Sequence, residues 1–97
     1  HKGVIIMRAT KIKMKPGCQD SSNLLEIEQI YITCCPREGY YYKEDIYDAL
    51  VRLPGCIQVN VYPFPNLIPA ISGKKEKYVR SEQDGSLQDN LLNLPRE

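Results

Sequence analysis

The sequence predicts an α+β domain in which one helix packs on a small antiparallel four-stranded sheet, in the order strand-strand-helix-strand-strand, followed by an extended C-terminal strap. Three observations carry that prediction. Apolar and charged residues alternate with period two from Ala9 to Lys15, the pattern of a half-buried strand. One window, Lys43 to Leu53, repeats apolar residues at three- and four-residue spacing, the pattern of an amphipathic helix. Pro16-Gly17, Pro54-Gly55 and Gly73-Lys74-Lys75 punctuate the chain between such segments, as turns do.

In the first strand Thr10, Ile12 and Met14 share one face, and Lys11, Lys13 and Lys15 the other. Val4 to Met7 extends that strand or precedes it, and residues 1–6 are read as a flap or as an addition to the native chain. Pro16-Gly17 ends the strand, because proline cannot donate to a ladder and glycine favours a turn. A polar loop, Cys18 to Asn23, leads to a second strand over Leu24 to Thr33. There Leu25 and Ile27 point inward and Glu26 and Glu28 outward, but Ile30 and Ile32 fall on the parity of the glutamates. A bulge near Gln29, or a strand end buried on both faces, accounts for the slip. Across the hairpin Glu26 and Glu28 are expected to face Lys11 and Lys13, each pair contributing about 0.2–1 kcal/mol. The other reading of the lysine row is a phosphate-binding stripe.

Pro36 to Gly39 turns the chain into Tyr40-Tyr41-Tyr42, an exposed strand or the approach to a helix, whose rings stack on a ligand or wall the core. In the helix, Ile46, Ala49, Leu50 and Leu53 form the apolar stripe. Glu44 and Asp45 suit its positive amino end and Arg52 its carboxyl end, while Tyr42 is a poor cap. A third strand, Cys56 to Tyr62, alternates Ile57, Val59 and Val61 with Gln58 and Asn60. Pro63, Pro65 and Pro69 then predict an irregular loop over Phe64 to Ala70, before a fourth strand from Glu76 to Ser81. Residues 82–97 form the strap: Asp84-Gly85 reverses the chain, and Leu87, Leu91, Leu92 and Leu94 are too spaced for a strand and too few for an independent helix. Such a segment is ordered only by docking, and burying Leu91 and Leu94 contributes about 1.5–3 kcal/mol each.

A chain of 97 residues, 42% hydrophobic and 26% charged, suits one globular domain. A net charge of +1 supplies no global pull toward polyanions, so any such partner needs a local patch. There is no apolar run of the roughly 18 residues a spanning helix needs, and no signal-peptide pattern, so no membrane partner is expected. Cys18, Cys34, Cys35 and Cys56 lack C-x-x-C spacing and His1 is the sole histidine, which points to reduced thiols in the cytoplasm, with a stray or structural disulfide as the alternative, and not to zinc. Without a histidine to serve as base, and with the acids at helix-start and surface positions, neither an enzyme nor a cofactor is expected.

The most concentrated polar group is Arg80 with Asp84, Asn90 and Asn93. In the structural reading Asp84 caps the turn, Arg80 pairs with it, and the asparagines satisfy backbone groups of the tail. In the functional reading Arg80 joins Lys11, Lys13 and Tyr78 in an anion or nucleotide pocket closed by the tail. Two roles are open to such a chain. The first is a non-enzymatic interaction module, with a protein partner or a second copy docking on Tyr40, Tyr41, Tyr42 and Phe64 or on a sheet edge. The alternative is nucleic-acid or nucleotide binding through Lys11, Lys13 and Arg80, helped by Lys15, Lys74, Lys75 and Lys77.

The ending Tyr78-Val79-Arg80-Ser81, Asp84-Gly85-Ser86, Asp89-Asn90-Leu91 and Leu92-Asn93-Leu94-Pro95 resembles the tail of small bacterial and phage proteins grouped as domain-of-unknown-function family 3892. Members end in a tyrosine-x-arginine-threonine strand, a proline-aspartate-glycine turn and an asparagine-leucine-x-asparagine-leucine-proline motif. Ala9-Thr10-Lys11-Ile12 and the acidic start of the helix look similar too, so the resemblance spans residues 7–95. Gln83 stands at the usual proline, Ser81 at the usual threonine, and Tyr42 where a capping serine or threonine is common. The resemblance implies a cytoplasmic or phage-encoded single domain and nothing catalytic.

Overall fold

Period-two alternation makes Met7–Met14 strand β1 and Ile27–Thr33 strand β2, and the two pair antiparallel. The computed structural model describes residues 7–34, 36–62, 64–82 and 89–96, so residues 1–6 and the Asp84 turn lie outside it. Two residues in this hairpin have no cross-strand partner. Ala9 pairs with Ile32 and Lys11 with Tyr31, which leaves Thr10 as an extra residue; Lys13 pairs with Gln29 and Met14 with Ile27, which leaves Glu28. Each bulge switches the parity of the residues beyond it. Ala9, Ile12 and Met14 therefore share the inner face, where Thr10 was expected, and meet Ile27, Ile30 and Ile32. The phase slip of the second strand is the bulge at Glu28, beside Gln29. Leu24–Glu26 is a 3-10 turn and not the start of the strand, with Asn23 capping Leu25 N–H at 2.9 Å.

The tyrosine run is strand β3, Gly39–Tyr42, antiparallel to β2. Helix α1, Lys43–Arg52, comes directly after it, with no side-chain hydrogen bond from Tyr42 to cap it. Its Ile46 and Leu50 are buried, but Leu53 lies past the last turn and is 63% exposed, so it does not continue the stripe. The helix carries the chain back along the sheet, and strand β4, Ile57–Val59, consequently runs parallel to β1. The order is β3-β2-β1-β4, a mixed sheet where an antiparallel one was expected. A crossover helix is what parallel pairing requires, and α1 supplies it.

The proline-rich segment is not a loop throughout. Leu67–Ile71 forms strand β5, which pairs antiparallel with strand β6, Lys77–Ser81, in a separate two-stranded sheet. Pro69 is tolerated opposite Val79 because both strands of such a sheet are edges, where a missing N–H need leave no ladder bond unmade. Helix α1 lies against β5 and β6 and also meets β2 and β3, so one core joins the helix to both sheets.

Asn90–Asn93 forms a second 3-10 turn, and Leu91, Leu92 and Leu94 enter the core at 0%, 5% and 4% exposure. β4 pairs with only the first part of β1, from Met7 to Ala9. Farther along the same edge Ile12 N–H donates to Pro95 at 2.9 Å, and Arg96 bridges Ile12 in parallel. Among the described residues no helix is long and apolar enough to cross a membrane.

Candidate ligand-binding face

The inner face of the four-stranded sheet is apolar and covered by α1 and the tail; the outer face is basic and aromatic. Strand alternation together with the bulge at Thr10 sends Arg8, Lys11 and Lys13 outward along β1, the central strand of the basic row. Gln29, Tyr31 and Thr33 of β2 lie on the same side, as do Tyr40 and Tyr42 of β3. The register puts Lys11 opposite Tyr31 and Lys13 opposite Gln29. The expected facing of Glu26 and Glu28 is thus overturned, because Glu26 belongs to the 3-10 turn, bonded by the Ser21 hydroxyl, and Glu28 is the bulged residue.

Each basic side chain of the row lies over a ring. Lys11 Nζ sits 4.5 Å from the centroid of Tyr31, Lys13 Nζ 5.9 Å from Tyr40, and Arg8 Cζ 5.1 Å from Phe64. The rings also meet edge to face, Tyr31 against Tyr40 at 5.1 Å and Tyr62 against Phe64 at 6.0 Å. Arg8 further donates to Asn60 Oδ1 at 3.3 Å. Phe64 holds a φ of 61°, a left-handed conformation that costs a bulky residue about 1–3 kcal/mol. That backbone places its ring beneath Arg8. Tyr42 and Phe64 remain 52% and 40% exposed.

The other expected site residues lie elsewhere. Tyr78 and Arg80 belong to β6 of the small sheet, so the structure does not bring Arg80 into one face with Lys11 and Lys13. Asp84, the expected partner of Arg80, is outside the described residues. Asn90 is buried in the tail turn, and Asn93 Nδ2 donates to its side chain at 3.3 Å. Asp89, not singled out in the sequence, organises this region by accepting from Ser81 N–H and from the Ser81 hydroxyl. Lys15 leaves the lysine row to pair with Glu76 at 3.3 Å, and Lys77 pairs with Asp48 of α1 at 2.9 Å, which raises the pKa of Lys77.

Other places offer less to a charged ligand. A pocket of about 170 Å³ between α1 and the inner sheet face is walled by Met7, Ile32, Tyr41, Ile46 and Ile57, with Asp45 its carboxylate. Cys18, Cys34 and Cys56 are free thiols. Burial raises the pKa of Cys18, with Glu26 adding to the effect, and burial likewise raises that of Cys56, so both favour the unreactive thiol. Among the described residues no three His, Cys, Asp or Glu side chains gather as a metal site would need.

No curated protein and no solved structure matches the chain. The tail motif that suggested a relationship from sequence lies within a longer match: residues 8–95 fit the family described as Protein of unknown function (DUF3892), and the chain belongs to that family.

Proposed function

We propose that the chain is a non-enzymatic binding module whose working surface is the outer face of the four-stranded sheet, and that Arg8, Lys11 and Lys13 hold the phosphates of a nucleic acid there. One observation carries this reading: three basic side chains stand in a row on one face of one strand, each over an aromatic ring. A ring beneath a cation fixes its position, and the ring contact itself does not neutralise the charge. With a net charge of only +1, that local patch is where the attraction resides. A protein-docking role for the same face is less well supported, since interface centres are depleted in lysine.

The test is affinity for an oligonucleotide as a function of salt. Three phosphate contacts predict a slope of about −2 in log K against log salt for a single strand. Lys11→Glu with Lys13→Glu is expected to remove most of the affinity while leaving the circular dichroism spectrum unchanged. If the wild-type protein shows no affinity at low salt, the reading is wrong.

A further inference from the structure

We infer that the ligand of this face is a single strand, its backbone running along β1 and its bases turned toward the rings, with Tyr42 as the stacking platform; this rests on the phosphate-holding role just proposed. The argument begins with which rings are available. Tyr31 and Tyr40 each carry an ammonium group over the ring and meet each other edge to face. Tyr42 flanks that group and keeps about half of its surface open. Tyr42 ends β3, two strands from β1 and so about 10 Å to its side, roughly the reach from a backbone phosphate to its base. Phe64, at the other end of the row, is taken up like Tyr31 and Tyr40, with Arg8 over its ring and Tyr62 against it edge to face.

Two features exclude a duplex. Bases inside a double helix have their faces covered by neighbours, so exposed rings offer them nothing, whereas every unpaired base has a face to stack. Groove reading needs a helix or ribbon that projects into the groove, and here α1 packs on the opposite side of the sheet. From Arg8 to Lys13 the row spans about 16 Å, room for the three phosphates of an extended strand that its three cations would hold. Gln29, opposite both Lys13 and Tyr42, lies between the phosphate row and the platform, where its amide can meet a base edge.

The experiment measures fluorescence anisotropy with labelled oligo-dT, oligo-dU and oligo-U of about 12 nucleotides, the matching duplex, and inorganic polyphosphate as competitor. Single strands are expected to bind at least about tenfold more tightly than duplex. Tyr42→Ala should weaken them by about five- to a hundredfold, with Tyr42→Phe restoring most of the affinity and polyphosphate competing equally against both variants. Oligo-dU beside oligo-U shows whether the 2′-hydroxyl contributes, and beside oligo-dT whether the C5 methyl does. If single strand, duplex and polyphosphate bind alike and Tyr42→Ala changes none of them, the stacking inference falls while the phosphate-holding role stands. If nothing binds at low salt, both fall together.

Discussion

The carboxylate of Asp89 joins strand β6 to the tail turn, beside the Ser81 hydroxyl, which accepts from Asn90 N–H at 3.3 Å. Its Oδ1 accepts from the Ser81 hydroxyl at 2.9 Å and from Leu91 N–H at 2.9 Å, and both oxygens lie 3.1 Å from Ser81 N–H. Ser81 is buried, so removing the acceptor leaves a desolvated donor without a partner. Asp89→Ala is therefore expected to cost about 1–3 kcal/mol. The cost should be read as a lower urea midpoint at unchanged slope, and a loss below about 0.5 kcal/mol would show that water replaces the carboxylate. The sequence drew attention to Asp84, Asn90 and Asn93 instead, because a 3-10 turn of four residues has no periodicity to mark where it begins. The available signal was the preference for aspartate at a cap position. Arg8 was missed for a related reason: strict alternation separates it from Lys11 and Lys13, and only the extra residue at Thr10 brings them to one face.

At the scale of elements, the chain is held at one corner by a buried lysine. Lys43 opens α1 yet is 2% exposed, with its Nζ 3.0 Å from Glu76 and 3.4 Å from Glu44; Lys15, past the end of β1, reaches the same Glu76. The cluster ties the start of the helix to β1 and to the β5–β6 hairpin. The Lys43 ammonium, bonded to the Glu76 carboxylate, holds the pKa of Glu76 below its ordinary value of 4.5. A depressed carboxylate pKa contributes stability that is fully present above the unfolded value and is lost as pH falls through the folded one. The wild-type protein should thus lose stability more steeply below about pH 4.5 than Glu76→Gln does, with the variant less stable at neutral pH. Parallel slopes of urea midpoint against pH would show that Glu76 is not the group responsible. Glu76 is over a third exposed, so solvent screening keeps the effect modest. None of this was legible beforehand, since an ion pair between residues this far apart in sequence depends on the tertiary fold. The helix itself was legible almost to the residue, because its apolar spacing and the Pro54-Gly55 stop are local signals. Strand β5 was not, because three prolines argue against a ladder unless the strand is known to be an edge.

For the whole molecule, the chain reads as two sheets clasping one helix, with the C-terminal tail as the last structural piece. Sequence could not show that β4 is parallel to β1, because direction depends on how many times the chain reverses, not on any residue in the strand. Nor could it show that β4 covers only half of its neighbour. The tail takes the other half: Pro95 accepts from Ile12, and the Arg96 guanidinium donates to Gln19 and Ser21 at 2.9 and 2.7 Å and to Leu92 at 3.1 Å. The tail also buries three leucines, each stabilising by about 1.5–3 kcal/mol. Their sum is comparable to the entire stability of an ordinary domain, about 5–15 kcal/mol. Deleting residues 89–97 is accordingly expected to abolish the cooperative thermal transition and not merely lower it. Because Arg8, Lys11 and Lys13 form a row only on the folded sheet, oligonucleotide binding should vanish in the same variant. A truncated chain that melts at an unchanged temperature would mean that the tail contributes nothing to the core. The point substitution Leu91→Ala separates packing from chain length: at 0% exposure it should cost about 2–5 kcal/mol while leaving the Pro95 and Arg96 contacts available to form.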